Sequence, residues 1–359
     1  MKILAFETSC DETSVAVVED GTKVLSNIIS TQINIHKEYG GVVPELASRH
    51  HIENILPVLN EALEKACCGL ESIDYIAVTN TPGLIGSLLV GLMFAKSLSY
   101  ANDIPLIPIN HIDGHIFSSF IERDVKLPAI SLVVSGGHTN LYYISEKNGK
   151  IEIELLGETL DDAVGETYDK IARVLGLTYP GGPEIDKLSE IGENTLRIKI
   201  PNVEGYNFSF SGIKTFITNH VNNEKMKGNP IIKENISKSL QTVITDILYS
   251  KVKKAVKEKK VKTVLVAGGV SANRGLREKF EVLRKEENIE VYFPEMEYCT
   301  DNAAMIGCAA FYNLKNKKLA ENINNYSVDA VSTKIKNKKQ NNKKKRKKVV
   351  DKDRRNMLI

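Results

Sequence analysis

The sequence predicts a two-lobed α/β enzyme that works in the cleft between its lobes. Three observations carry this. At 359 residues the chain exceeds what one hydrophobic core usually serves, so two domains are expected. Strand-like runs alternate with helical patterns, the mark of α/β architecture. Two polar strand-turn-strand segments, Ile3 to Glu19 and Ala129 to Ile144, resemble each other as duplicates would. Between them lies His111-Ile-Asp-Gly-His115, whose two imidazoles share one helical face and can grip one metal ion; the alternative is an ordinary helix surface.

Composition narrows the class. The chain turns acidic at Glu7, Asp11 and Glu12 before the apolar region of an export signal could be completed, so a cytoplasmic location is expected. The longest apolar stretch, Leu84 to Leu98, is interrupted by Gly86, Ser87, Gly91, Lys96 and Ser97 and is too short to span a bilayer. It reads as a buried helix, and no membrane partner is expected. Cys10, Cys67, Cys68, Cys299 and Cys308 are odd in number and lack a CxxC spacing, which favours reduced thiols. The formal charge of +3 hides an asymmetry: from Val331 onward there are 13 Lys/Arg against two acids, leaving −8 for the rest. An acidic body carries a basic tail.

Taken in order, the first strand, Ile3 to Phe6, runs into Glu7-Thr-Ser-Cys-Asp-Glu-Thr-Ser14. This turn offers hydroxyls, NH groups and carboxylates, which suit a phosphate, a magnesium ion or a water, or simply close a hairpin. His51 to Ala66 carries apolar residues at helical spacing, and Tyr75 to Thr79 is the next strand. A break near Ile121 to Leu127 separates the halves, and Pro128 holds its predecessor extended, as a hinge or the start of a strand needs.

In the second half, Ala129 to Val134 is a strand leading to Val134-Ser-Gly-Gly-His-Thr139, whose glycines either let the backbone pass close to a ligand or simply form a bulge. Asp169 and Asp186 flank the loop Tyr179-Pro-Gly-Gly-Pro183, and such carboxylates suit ribose hydroxyls, whereas Asp161 and Asp162 read as caps or surface acids. Leu240 to Val256 is helical. The strand Thr263 to Val266 precedes Gly268-Gly-Val-Ser-Ala-Asn273, where the glycines could lie against a purine and Asn273 read a ring edge or a ribose hydroxyl. Neither GxGxxG nor GK[ST] is present, so dinucleotide and P-loop readings are not supported. Asp301 stands near a helix start, where it either complements the helix dipole or joins the two imidazoles in a two-histidine, one-carboxylate metal site. The Asn/Lys-rich end cannot bury enough surface to offset chain entropy, so disorder is expected from about Val331.

Seven motifs occur in a fixed order: Thr8-Ser-Cys-Asp-Glu-Thr-Ser14, Tyr39-Gly-Gly-Val-Val-Pro-Glu-Leu-Ala-Ser-Arg49, Asn110-His-Ile-Asp-Gly-His115, Val134-Ser-Gly-Gly-His-Thr139, Tyr179-Pro-Gly-Gly-Pro183, Phe208-Ser-Phe-Ser-Gly212 and Gly268-Gly-Val-Ser-Ala-Asn273. Over roughly Met1 to Lys318 the chain resembles the bacterial tRNA N6-adenosine threonylcarbamoyltransferases, the TsaD family. The resemblance implies an actin-like (hexokinase-type) ATPase fold of two duplicated RNase H-like lobes with a cleft between them. Residues 1–120 with about 300–325 would form lobe I, 121–299 lobe II, and 331–359 the basic tail. The implied reaction moves the threonylcarbamoyl group from threonylcarbamoyl-AMP to N6 of adenosine 37, in tRNAs reading codons that begin with A, and releases AMP. Metal ligands carry over to His111, His115 and Asp301, holding one divalent ion per subunit, iron(II) ahead of zinc, with magnesium as a companion of the nucleotide. Substrate contacts carry over to Val134, Ser135, Gly136, Gly137, His138, Asp169, Gly182, Asp186 and Asn273. Asp11 and Glu12 are the candidates for removing the proton from the attacking amine. The implied partners are tRNA, a paralogous TsaB-type dimerisation partner, to which Leu84 to Leu98 would offer a face, and a small TsaE-type ATPase. The tail, which the family pattern does not require, is either a solvated lysine tract or an electrostatic recruiter of tRNA.

Three rivals compete with this reading. A metalloendopeptidase of the HExxH type needs Glu after the first His, where this chain has Ile112. A small-molecule kinase or ATPase of the same fold could use the glycine turns, but phosphoryl transfer does not require a metal held by two histidines. The third is a scaffold without chemistry of its own.

Overall fold

A computed structural model describes residues 1–315 and 326–332. Its frame is two five-stranded sheets with the same topology. In lobe I, Lys2–Glu7 (β1), Glu12–Glu19 (β2), Lys23–Thr31 (β3), Tyr75–Thr81 (β4) and Leu106–Asn110 (β5) lie in the order β3-β2-β1-β4-β5. Ala129–Val134 (β6), Thr139–Lys147 (β7), Lys150–Glu158 (β8), Thr263–Ala267 (β9) and Glu290–Tyr292 (β10) repeat it as β8-β7-β6-β9-β10. In each, the first three strands are antiparallel and the last two add in parallel. This is the duplicated actin-like fold.

The apolar runs explain which strands are central. Every residue of β6 is buried, as a strand covered on both faces requires. By contrast, β8 alternates Lys and Glu with apolar residues and lies at a sheet edge, where charge discourages further pairing.

Alternating residues of the sheets feed different layers. Leu4 and Phe6 of β1 face Pro44–Lys65 (α2) and Ile85–Asn102 (α3), while the short Ile33–Tyr39 (α1) leads into α2. Ile3 and Ala5 face a central core shared by both lobes, made with His111–Ser118 (α4), Ala303–Lys315 (α10) and the inner residues Ala129, Val133 and Leu265 of sheet II. Ile130, Leu132 and Val134 face the outer layer of Val164–Val174 (α5), Gly181–Ile191 (α6), Ser211–Met226 (α7), Lys233–Lys259 (α8) and Arg274–Glu287 (α9). Helices α4 and α10 pack at close range because of glycine: a Cβ on Gly114 would meet Ile306 at 2.7 Å, and one on Gly307 would meet Val18 of β2 at 2.7 Å.

Two expectations need correction. The stretch Leu84 to Leu98 is not a buried helix: α3 buries Leu88, Leu92 and Ala95 but exposes Ile85, Leu89 and Met93, beside exposed Ile52 and Leu56 of α2. Val331 is placed: its NH donates to the Asn80 carbonyl at 2.9 Å, and Ala330 is buried against lobe I. The rest of the predicted disordered tail, 333–359, and the stretch 316–325 lie outside the described residues. None of the described helices is long and apolar enough to cross a membrane.

Candidate functional site

Asn110 caps α4 by accepting the Ile112 NH at 2.8 Å, which makes His111 the first helical residue and puts His115 one turn on. Their rings lie 4.6 Å apart at 76°. Asp301 comes from the turn before α10, and it does not serve that helix as a cap. Asn302 accepts the Met305 NH at 3.0 Å, Ser14 accepts the Ala303 NH at 2.8 Å and Asn27 accepts the Ala304 NH at 3.3 Å. With those donors satisfied elsewhere, the Asp301 carboxylate faces the imidazoles. Its Oδ1 is 3.6 Å from His111 Nε2 and 3.2 Å from His115 Nε2, and the three potential ligand atoms lie within 4.8 Å of one another.

This donor set fits a divalent cation. His115 Nδ1 is fully buried without a hydrogen-bond partner among the described residues, and its Nε2 meets only the Asp301 carboxylate, a contact that an ion held between the two would replace. His111 is held from behind: its Nδ1 lies 3.0 Å from Glu7 Oε2 and 3.1 Å from Ser9 Oγ. Glu7 also accepts from the Ser9 NH at 2.6 Å and from Thr79 Oγ1 at 2.5 Å. A carboxylate behind a histidine fixes its tautomer and leaves Nε2 for a metal.

The charges say the same. Burial opposes a proton on His111, but the Glu7 and Asp301 carboxylates outweigh it and raise the imidazole to about 9. Burial would push Asp301 up, yet His111 and His115 hold it well below the usual carboxylate range. Without an ion, a proton on His111 compensates these acids; a divalent cation does so more completely.

This cluster opens into a cavity of about 660 Å³ between the lobes. Lobe I contributes Ser9, Cys10, Asp11, Glu12 and Pro82 to Leu84; lobe II contributes Ser135 to His138, Gly165, Glu166, Asp169, Gly182, Asp186, Gly269 and Asn273, with His111 and Asp301 at one end. Two of the residues named from sequence are not on its wall: Val134 is buried within β6, and His115 is buried behind the surface.

The acidic turn is pinned from two helices. His51 of α2 bonds Thr13 Oγ1 at 2.8 Å and the Cys10 carbonyl at 2.9 Å, and the Leu84 NH donates to the Ser9 carbonyl at 2.8 Å. Burial, then the neighbouring Asp11 and Asp301 charges, push the Glu12 carboxyl well above its ordinary range. Burial also raises Asp169, against the pull of the Gly181 NH, which Asp169 accepts at 2.7 Å. His138 is driven down to about 4 by burial and by the two metal-site imidazoles, so it is a neutral ring.

The glycines divide into two kinds. Gly136, Gly137, Gly182 and Gly269 have open space where a Cβ would point. Gly268, read from sequence as a purine platform, is instead structural: with φ +91° it lies against the backbone of β6, where a Cβ would meet the Val134 carbonyl at 2.4 Å. The segment read as a Pro-Gly-Gly-Pro loop is the first turn of α6, which places Asp186 on that helix. Asp186 accepts from Gln241 Nε2 at 2.6 Å and from the Arg274 NH at 3.2 Å. Asn273 caps α9 through the Leu276 NH at 2.8 Å and donates to Gln241 Oε1 at 2.8 Å. Gln241 therefore couples Asp186 and Asn273, two of the residues expected from the sequence to meet the substrate. Its sequence context, a long apolar helix, carries no signal of this, and Glu7 reads from sequence only as part of a polar turn.

The family model for tRNA N6-adenosine threonylcarbamoyltransferase (TsaD) matches residues 23–308. A protein of that name from Fusobacterium nucleatum is 58% identical over 319 residues, 89% of this chain and 93% of its own. One from Clostridioides difficile is 51% identical over 320 residues, 88% and 94% of the two chains. Among solved structures, HypF from T. kodakarensis superposes with a TM-score of 0.60 at 14% identity, over 88% of this chain and 47% of that one. Full-length HypF in its phosphate- and nucleotide-bound form gives 0.57 at 17% identity, over 89% and 46%. At that distance the likeness is one of fold.

Proposed function

Because the chain belongs to the tRNA N6-adenosine threonylcarbamoyltransferase (TsaD) family, we propose that it transfers the threonylcarbamoyl group of threonylcarbamoyl-AMP to N6 of adenosine 37, in tRNAs reading codons that begin with A. The observation that carries this reading is the buried two-histidine, one-carboxylate cluster opening into one cavity with the open glycines of lobe II. His111, His115 and Asp301 would hold one divalent ion per subunit, iron(II) ahead of zinc, since this ligand set with open positions suits non-haem iron. Bound there, the ion supplies Lewis-acid polarisation of the threonylcarbamoyl carbonyl. Magnesium would accompany the nucleotide.

The chain's own groups do the rest. Ser135 to His138 and Gly182 let the adenylate lie close to backbone, while Asp169 and Asp186 accept from ribose hydroxyls and Asn273 orients the base. Val134 contributes through its position beneath the glycine turn. The N6 lone pair attacks the carbonyl carbon, a C–N bond forms, the C–O bond to phosphate breaks, and AMP leaves. The amine proton passes to Asp11 or Glu12; a carboxyl raised as Glu12 is takes a proton more readily than an ordinary one. Positioning two bound substrates contributes much of the rate.

The exposed apolar residues of α2 and α3 suit a TsaB-type paralogue as dimerisation partner. A small TsaE-type ATPase and a cytoplasmic location complete the proposal. The test is transfer from threonylcarbamoyl-AMP to unmodified tRNA, with and without the partner proteins. Wild type should transfer and His111→Ala should lose about 100-fold or more; equal rates would sink the reading.

A further inference from the structure

Two stretches of the cavity wall come from different parts of the chain, and one side chain behind the wall ties them together. Val270, Ala272 and Asn273 stand on the turn after β9; Met296, Thr300 and Asp301 belong to the segment between β10 and α10. That segment, 293–302, holds only a three-residue 3-10 turn at Met296–Tyr298, so no strand ladder or long helix fixes its backbone.

Arg277 of α9 reaches both stretches without standing on the cavity wall. Its Nε donates to the Ser271 carbonyl at 2.9 Å, on the turn that Asn273 ends. Its Nη2 donates to the Pro294 carbonyl at 3.2 Å and to Cys299 Sγ at 3.5 Å, two residues before Asp301. The guanidinium carbon lies 4.8 Å from the centre of the Phe293 ring, and that ring packs edge-on against buried Phe280 of α9 at 6.2 Å. A planar, rigid fork of donors can serve two segments at once, as a lysine's single point charge cannot.

The proposed substrate spans the cavity, with its base at the Asn273 end and its acyl carbonyl at the Asp301 end. The two ends must therefore stand at one fixed separation, because a misplacement of about 1 Å can cost on the order of 100-fold in rate. A second consequence is thermodynamic. Whichever ligand binds first orders the irregular segment or the turn tied to it, and the other then binds with less left to order.

We propose that Arg277 is a positioning residue that sets the distance between the turn 268–273 and the segment that delivers Asp301, and that it makes ligands at the two ends bind cooperatively. The inference rests on the function proposed above, in which one substrate meets both ends. Arg123 supplies the control: it grips the same segment through the Phe293 carbonyl and the Glu295 carboxylate, and among the described residues its side-chain bonds go to that segment alone.

The test reads zinc affinity by competition with a chromophoric chelator, with and without saturating adenosine, which has no phosphate to touch the ion. Adenosine should tighten zinc binding to wild type by about fivefold or more, and zinc should tighten adenosine binding by the same factor. Arg277→Met keeps the length of the side chain and removes its donors. It should bind either probe alone, lose the linkage, and slow single-turnover transfer at saturating threonylcarbamoyl-AMP by about 10–100-fold. Arg123→Met should keep the linkage. If thermal unfolding shows that Arg277→Met does not fold, Arg277→Lys takes its place and should lose most of the linkage too.

Linkage that survives loss of the Arg277 fork, or that Arg123→Met loses to the same extent, would overturn the proposal. So would a wild type that binds both probes independently. A wild type that shows the linkage, and loses it with Arg277, yet transfers nothing to tRNA would uphold the role of Arg277 and remove the proposed reaction. Failure of wild type to bind one of the probes would remove both readings.

Discussion

The two hairpins that open the lobes are built alike and used differently. In lobe I the last paired residues before the turn are Glu7 and Ser14; in lobe II they are Val134 and Thr139. The hydroxyl keeps one task in both. Ser14 Oγ accepts the first NH of α10 at 2.8 Å, and Thr139 Oγ1 accepts the first NH of α5 at 2.9 Å. The partner position diverges: a buried carboxylate that grips His111 in lobe I, an apolar side chain in lobe II. The turns diverge too, one acidic and pinned by two helices, the other glycine-rich and open. Duplication thus supplies the frame and its helix caps, while a few substitutions set one hairpin behind the His111, His115 and Asp301 cluster and leave the other as an open glycine turn, the place the proposed function gives to the nucleotide.

Breaking the metal side should have the largest effect. Asp301→Ala leaves two buried imidazoles without their carboxylate, and the purified protein should lose nearly all bound iron or zinc by elemental analysis. Retention of one ion per chain would show that Asp301 is no ligand.

Glu7→Gln tests the divergence itself, since it keeps the shape and removes the charge behind His111. Metal affinity should fall by about 10–100-fold in a chelator competition, as loss of a carboxylate behind a ligating histidine typically causes. Because Glu7 is fully buried and accepts three hydrogen bonds, thermal unfolding must be followed alongside. A stable variant with unchanged affinity would reduce Glu7 to a packing role.

On the lobe II side, Gly268→Ala should act on stability and not on metal content. A side chain at φ +91°, pressed against the Val134 carbonyl, should cost about 2–3 kcal/mol in denaturant unfolding. Loss of bound metal without loss of stability would contradict the division of labour between the lobes.

Local chemistry is legible in the sequence. The hairpins announce themselves by alternation around polar turns, and the histidine pair by its spacing on one helical face. The illegible part depends on packing between distant segments. Whether Asp301 caps α10 or meets the histidines is decided by Gly114 and Gly307, which bring α4, α10 and β2 close, and by Asn302, which takes over the cap. The stretch Leu84 to Leu98 is apolar nearly all round, so periodicity alone does not reveal that one face stays uncovered. The segment 326–332 has no period and is held largely through backbone carbonyls and one backbone NH, groups every residue owns.

The smallest effect contrasts the buried acid of lobe I with an exposed one in lobe II. Asp161 ties the start of α7, accepting from Ser209 Oγ at 2.5 Å, Ser211 Oγ at 2.8 Å and the Phe210 NH at 2.8 Å. Burial opposes its charge, but these hydrogen bonds outweigh it and hold the carboxyl below its ordinary range. A carboxyl lowered on folding stabilises the protein above its unfolded value, near 3.9, and that contribution is lost as pH falls through the folded value. Asp161 is exposed, so solvent screening keeps the effect to about 0.5 kcal/mol. Asp161→Asn should therefore unfold slightly more easily than wild type at pH 7, and the gap should close as pH falls below about 4. A gap that persisted unchanged into acid would mean that shape and not charge holds this tie, and that lobe I alone depends on a buried carboxylate's charge.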